Sequence, residues 1–273
     1  MSTAIVLPTY QEAGTIDTVL RRIRAALDDA EIFVFDDSSP DGTADIAEKT
    51  GVEVGNITVV RRPAKEGLGA AYRHALTHVR SAGHDPVIHM DVDLSHDPAR
   101  LPALIEALED GADVAIGSRY VSGGDTPDWP LHRRVLSRYG NRYAQAMLHL
   151  SMHDATGGFR AYRGSVLDRV RVESTRTNGY GFMIETGFRL SFLKAVVTEV
   201  PIVFVDRTVG ESKMSVRSMV ETTLMVTWWG LCLRFPGVTD RFRATKLGRR
   251  LFALTGPSIP TGGPMTAPDT PRR

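Results

Sequence analysis

The chain has 273 residues, 42% hydrophobic and 24% charged, with a net charge near +1. That composition fits an ordinary globular protein, and so balanced a charge gives no global field for nucleic acid or membrane, so any basic site must be local. Cys232 is the single cysteine, which excludes an intrachain disulfide and a cysteine-based zinc cluster. The chain enters an apolar run almost at once, without a charged and then apolar leader pattern, so secretion is not expected.

Short apolar runs at residues 4–7, 32–35, 57–60, 87–90 and 114–116 predict strands. Amphipathic stretches at 15–27, 43–49, 68–79 and 98–108 predict the helices between them. This alternation predicts an α/β fold, a mostly parallel sheet with helices on both faces. In such sheets ligands bind beyond the carboxyl ends of the strands. The first strand runs into Pro8-Thr9-Tyr10-Gln11-Glu12, and the second into Asp36-Asp37-Ser38-Ser39-Pro40-Asp41-Gly42. The fourth runs into Asp91-Val92-Asp93, so three signals converge on one rim. Strand alternation predicts that Asp91 and Asp93 project from one face. Two hard oxygen ligands there suit a Mg²⁺ or Mn²⁺ ion bridging a diphosphate.

Blander readings stand beside these. The 36–42 segment reads equally as a turn leading into a capped helix. Pro8 and Glu12 read as a strand end and a helix start. Gly67-Leu68-Gly69 reads as close packing, and no Gly-x-Gly-x-x-Gly follows the first strand, which counts against a nicotinamide or flavin dehydrogenase.

Arginines become frequent beyond Val114. Arg119 lies in Gly117-Ser118-Arg119-Tyr120, and Arg133 precedes a helical pattern that stacks Arg134, Arg138 and Arg142 at i, i+4 and i+8. Arg119 and Arg133 flank the loop nearest the carboxylate rim, where guanidinium groups would grip phosphate. Asp154-Ala155-Thr156-Gly157-Gly158-Phe159-Arg160 either lines a sugar pocket or makes a tight connection. Glu185, inside an apolar helical pattern, is either a structural ion-pair partner or catalytic. A strand is predicted over 200–205, followed by a 206–213 loop expected to close over a diphosphate and become ordered on binding. Residues 218–235 have an apolar core around Trp228 and Trp229 that is short for a membrane span. They read either as an interfacial helix or as a buried one. Residues 241–250 are rich in cations and suit anionic lipid or solvent, and from 255 the composition predicts a flexible tail.

Taken in order, these motifs resemble those of the polyprenol (dolichol) phosphate mannose synthases, inverting family-2 glycosyltransferases with the GT-A fold. The motifs are Leu7-Pro8-Thr9-Tyr10, the 36–42 segment, Asp91-Val92-Asp93-Leu94-Ser95-His96, Gly117-Ser118-Arg119-Tyr120 and the Asp206-Arg207 to Gly210-Glu211-Ser212-Lys213 loop. The resemblance implies transfer of mannose from GDP-mannose to a polyprenyl phosphate, with Mg²⁺ or Mn²⁺. Pro8, Tyr10, Glu12, Phe35 and Asp37 would cradle the guanosine end of the donor, and Asp91, Val92 and Asp93 the diphosphate and metal. Arg119, Arg133 and Ser137 would receive the acceptor phosphate, and Arg207 and Lys213 would reach the donor diphosphate; Asp91, Asp93 and Arg119 would be catalytic. Ser95 stands where some relatives carry a glutamine as a further metal ligand, so a water would substitute there. The implied division is a catalytic domain over 1–215, amphipathic membrane-interface helices over 216–254 and a tail over 255–273. The implied place is peripheral, at the cytoplasmic face of a membrane, with no nucleic acid and with a membrane-anchoring partner protein left open. The acceptor phosphate, with a second pKa of about 6, is already largely a dianion near neutrality, so no dedicated catalytic base is expected. Alternatives are a polyprenyl-phosphate glucosyltransferase using UDP-glucose, a nucleotidyltransferase, and a non-catalytic membrane scaffold.

Overall fold

The computed structural model describes residues 2–206 and 216–245. Strands β1 (Ala4–Thr9), β2 (Glu31–Asp36), β3 (Ile57–Arg61), β4 (Val87–His89), β5 (Val114–Ser118), β6 (Arg160–Tyr162) and β7 (Val197–Pro201) form a single sheet in the order β3-β2-β1-β4-β6-β5-β7. Every pairing is parallel except those of β6, which runs antiparallel to both β4 and β5. The two-residue period of the strands divides the core. Ala4, Val6, Phe33 and Phe35 face one side, while Ile5, Leu7, Ile32 and Val34 face the other.

The second face is covered by α1 (Ile16–Ala26), α2 (Thr43–Val54) and α4 (Leu101–Glu109). The first is covered by α3 (Leu68–Ser81), α5 (Leu131–Leu148), α6 (Gly164–Val170), α7 (Tyr180–Phe192) and α8 (Val216–Arg234), and α9 (Pro236–Ala244) follows. The first five strands fall where the apolar runs predict them. The expected strand over 200–205 instead begins at Val197 and ends at Pro201, because its ladder is with β5, whose last residue, Ser118, pairs with Pro201. β6 is three residues long, begins with a charged Arg160 and offers no alternation to read.

α8 buries one side of residues 218–235 and exposes the other. Val226, Trp229, Cys232 and Leu233 are buried, packed with α5 and α7, whereas Val220, Leu224, Leu231 and Phe235 are exposed. At Gly230 a Cβ would fall 3.0 Å from the Met147 carbonyl, so only glycine allows α8 to approach α5 this closely. No described helix is long and apolar enough to cross a membrane.

Glu185 is structural. It is fully buried, accepts from Arg189 at 3.0 Å, and takes the backbone amides of Arg176 and Thr177 and the Thr177 hydroxyl. It thus pins the segment before α7 to the helix. Glu185→Ala removes the carboxylate that neutralises a buried guanidinium and should cost about 3–5 kcal/mol. A denaturant titration should show that loss in the unfolding midpoint, and an unchanged midpoint would refute the structural role.

Candidate active site

Two adjoining cavities open at the carboxyl ends of the parallel strands, and the residues common to both linings form the partition between them. The first, about 380 Å³, is lined by Pro8, Thr9, Tyr10, Glu12, Asp37, Lys65 and the start of α3. The second, about 210 Å³, is lined by His96, Arg119, Trp129, Arg133, Ser137, Phe204 and residues of α5 and α8. Asp91, Asp93, Thr156, Gly158 and Tyr180 line both.

The 36–42 segment is a turn that also contributes Asp37 to the first cavity. Asp36 accepts from Thr9 Oγ1 at 3.0 Å and from the Ser39 amide at 2.8 Å, and Asp41 accepts from the Ala13 amide and Thr43 Oγ1. Those two carboxylates build the loop and leave Asp37 facing the cavity. Burial pushes the Asp37 carboxyl above its usual value, against the opposing pull of Arg62, with which it forms a buried ion pair. Arg62 also holds Glu66 at 2.7 Å. Lys65 places its ammonium 3.7 Å from the Tyr10 ring centre, adding a cation to this wall. Phe35 lines neither cavity. Strand alternation turns its ring with Phe33 into the core, 5.6 Å from both His74 and His78.

On the partition, Asp91 and Asp93 come together for a reason other than strand alternation. β4 ends at His89, and both carboxylates belong to the loop beyond it, which turns through a left-handed Leu94 (φ 63°). Asp93 is held by the Ser95 amide at 3.1 Å and by the Ser95 hydroxyl. Ser95 is itself buried and orients Asp93. Asp91 accepts from the fully buried Tyr72 hydroxyl at 2.9 Å, and burial followed by the Asp91 charge raises that phenol well above its ordinary pKa, so it stays a donor. Opposite, a Cβ on Gly158 would lie 3.2 Å from the Asp91 carboxylate, so the missing side chain keeps that space open. Val92 lines the first cavity.

Two hard carboxylates beside an open space fit a divalent cation. Among the described residues no third His, Cys, Asp or Glu completes a metal cluster with them. The remaining ligands would therefore be phosphate oxygens and water, as suits a cation carried by a diphosphate.

In the second cavity Arg119 is almost fully buried, its Nε and Nη2 bound to Asp154 at 2.7 and 2.6 Å. Burial disfavours the Arg119 charge, but Asp154 outweighs that and raises its pKa; reciprocally, Arg119 overcomes the burial of Asp154 and lowers that carboxyl. Nη2 also reaches Thr156 at 2.9 Å. Arg133 stacks 4.1 Å from the Trp129 ring centre and pairs with Asp206 at 2.8 Å. Ser137 shares a 2.6 Å hydrogen bond with the Tyr120 hydroxyl. Of the arginine stripe, Arg134 caps the Thr126 carbonyl at 2.8 Å, and Arg138 lies 5.8 Å from the Tyr120 ring centre. The 206–213 loop beyond Asp206, with Arg207 and Lys213, lies outside the described residues, as do residues 246–273.

The residue pattern gives no sign of Arg62, Lys65, Trp129, Tyr180 and Phe204, single residues without a motif. Asp154 stands out only as the acid opening a glycine-rich polar segment, and its pairing with Arg119 is visible only in the structure.

A cleft at the carboxyl ends of a mostly parallel sheet, with paired acids on its partition, defines a nucleotide-sugar transferase of GT-A type. The chain belongs to glycosyl transferase family 2, whose pattern it matches over residues 4–171. It is 40% identical to an undecaprenyl-phosphate mannosyltransferase of Micrococcus luteus over 88% of this chain and 99% of that one. It is 38% identical to a polyprenol monophosphomannose synthase of Mycolicibacterium smegmatis, over 88% of this chain and 90% of that one. Its fold is shared with glucosyl-3-phosphoglycerate synthase from Mycobacterium tuberculosis, solved with Mn²⁺, UDP and glucosyl-3-phosphoglycerate. There the TM-score is 0.57 and the identity 20%, covering 85% of this chain and 78% of that one.

Asp154→Asn keeps the shape of the Arg119 partner and removes its charge. Titration calorimetry should show a short phosphate monoester binding on the order of 10-fold to 100-fold more weakly, since hydrogen bonds to a charged group contribute about 1.5–3 kcal/mol. Nucleotide affinity in the first cavity should be retained; an unchanged phosphate affinity would rule out this positioning.

Proposed function

We propose that the protein transfers mannose from GDP-mannose to a polyprenyl monophosphate, releasing GDP. The observation that carries this reading is the carboxylate partition between a nucleotide-sized cleft and a cation-lined cavity with an apolar exit. The 40% identity to an undecaprenyl-phosphate mannosyltransferase supports mannose and the lipid phosphate over other sugars and acceptors. The donor would occupy the first cavity, its base beside Asp37 and Tyr10 and its diphosphate beside Asp91, Val92 and Asp93. The acceptor phosphate would enter the second, facing Arg119, Arg133 and Ser137, with Arg207 and Lys213 completing the diphosphate site.

A phosphate oxygen attacks the anomeric carbon as the bond to the GDP oxygen breaks, and GDP leaves with the electron pair, so the anomeric centre inverts. The nucleophile is already anionic near neutrality, since its second pKa is about 6, so no side chain need remove a proton. What the site supplies is electrostatic. Arg119 and Arg133 bring the acceptor dianion toward a donor that is itself anionic, and Asp91 and Asp93 would hold the Mg²⁺ or Mn²⁺ whose charge would offset that of departing GDP.

Radiolabelled GDP-mannose and UDP-glucose, each offered with polyprenyl phosphate and Mg²⁺ or Mn²⁺, test the reading. Mannose should transfer, chelation should abolish the product, and Asp93→Ala should lower turnover by on the order of 100-fold or more with the fold intact. Preferential use of UDP-glucose would replace the donor, and near wild-type Asp93→Ala turnover would remove the metal from Asp93.

We also infer peripheral attachment to the cytoplasmic face of a membrane through α5 and α8, reserving residues 1–215 for catalysis, 216–254 for the interface and 255–273 for a tail. The second cavity opens between these helices, with Leu136, Ser137 and Tyr143 on one wall and Met219, Thr222 and Thr223 on the other. Leu131, Val135 and Tyr139 of α5 and Val220 and Leu224 of α8 expose apolar surface on the same two helices. An isoprenoid tail leaving that cavity would pass directly into lipid. Burying one such side chain contributes about 1.5–3 kcal/mol. Leu131→Asp with Leu224→Asp should therefore weaken sedimentation with anionic vesicles by on the order of 100-fold. Turnover of a short, soluble prenyl phosphate should persist; undiminished vesicle binding would exclude this face.

A further inference from the structure

His96 lies on the loop that carries Asp91 and Asp93, only 2% exposed, yet it lines the second cavity. Its Nδ1 sits 3.2 Å from the backbone nitrogen of Asp91. A backbone amide can only donate, so Nδ1 must accept, and the ring's proton is placed on Nε2. A ring protonated on both nitrogens would set one N–H against another. The faces and edge of the ring are also used, stacked 5.2 Å from Phe159 and edge-on to Phe204 at 5.4 Å. Phe204 in turn lies 5.3 Å from the Arg119 guanidinium and 5.5 Å from Trp129. His96 and Arg119 therefore pack around one aromatic hub on the wall of the same cavity. No protein group among the described residues takes the Nε2 hydrogen.

We propose that His96 Nε2–H is a direct, uncharged hydrogen-bond donor to the acceptor phosphate, a further binding residue beside Arg119, Arg133 and Ser137. This rests on the acceptor reading of the second cavity and adds to it a residue and an atom. The chemistry favours a neutral donor here. The attacking phosphate must approach the Asp91–Asp93 partition, and an N–H fixed by the Asp91 amide can orient one phosphate oxygen without neutralising the charge that makes it a nucleophile. The same amide contact couples the acceptor's position to the loop that holds the donor diphosphate.

The test uses the full chain with farnesyl phosphate as probe and farnesol as control. His96→Asn keeps an oxygen near the Nδ1 position for the Asp91 amide and removes the group that reaches the cavity. Calorimetry should show farnesyl phosphate binding weakened by on the order of 10-fold to 100-fold, with GDP affinity in the presence of Mg²⁺ retained. In the wild-type protein, the His96 Nε2–H resonance, assigned by its absence from the variant, should move downfield with farnesyl phosphate and not with farnesol. Unchanged farnesyl phosphate binding, an equal loss of GDP and farnesyl phosphate affinity, or an unmoved resonance would overturn the proposal. If wild-type protein binds no farnesyl phosphate, the acceptor reading itself fails; if it binds and only the His96 readouts stay flat, the failure belongs to His96.

Discussion

The partition between the two cavities stands on a buried cation. Arg160, fully buried at the start of β6, donates to the carbonyls of Ala155 at 2.8 Å, Gly157 at 3.0 Å and Met183 at 3.2 Å, and to the Thr186 hydroxyl. A buried guanidinium is costly unless its donors are satisfied, so those acceptors must stay in place, and they belong to the loop before β6 and to α7. The loop is thereby fixed against the end of β4, where His89 Nδ1 meets the Gly158 carbonyl at 2.8 Å. Burial holds His89 well below its ordinary pKa, so this contact stays a neutral hydrogen bond. Gly158 then lies beside Asp91, and Thr156 beside Arg119.

A second set of polar contacts continues from there toward the edge of the sheet. Glu199 of β7 accepts the amides of His153 and Asp154 at 2.8 and 3.0 Å, which positions the Asp154 carboxylate that holds Arg119. The 154–160 segment is therefore neither a sugar pocket by itself nor a mere connection. It is the element through which β4, β6 and β7 set the distance between the paired acids and Arg119. Antiparallel β6, wedged into a parallel sheet, is what brings that segment to the carboxyl rim.

The functional consequence is a division of charge. Acids on the shared wall face a first cleft that carries Lys65, while the second cavity carries Arg119, Arg133, His96 and Ser137 among apolar residues such as Leu136, Phe204 and Met219. On the proposed reading, two anions would meet across such a wall with Lys65 on one side and Arg119 and Arg133 on the other. The apolar surface of α5 and α8 continues the second cavity outward, which suits a substrate with an anionic head and a long hydrocarbon tail.

The amino-acid sequence alone determined the first five strands and the helices between them, because strict alternation and helical periodicity are local properties. It also determined that residues 8–12, 36–42 and 91–93 would share a rim, because parallel strands connected by helices all end on the same side. What only the tertiary structure decided is how those rims become a site. Asp91 and Asp93 share a partition through a loop and not a strand; Phe35 belongs to the core; Glu185 is a structural anchor. β6 and the start of β7 follow from partners far along the chain, and Trp129, Asp154 and Phe204 gain their roles only beside Arg119. Each of these depends on a contact between distant segments, and a pattern read along one segment carries no record of the group that will lie opposite it.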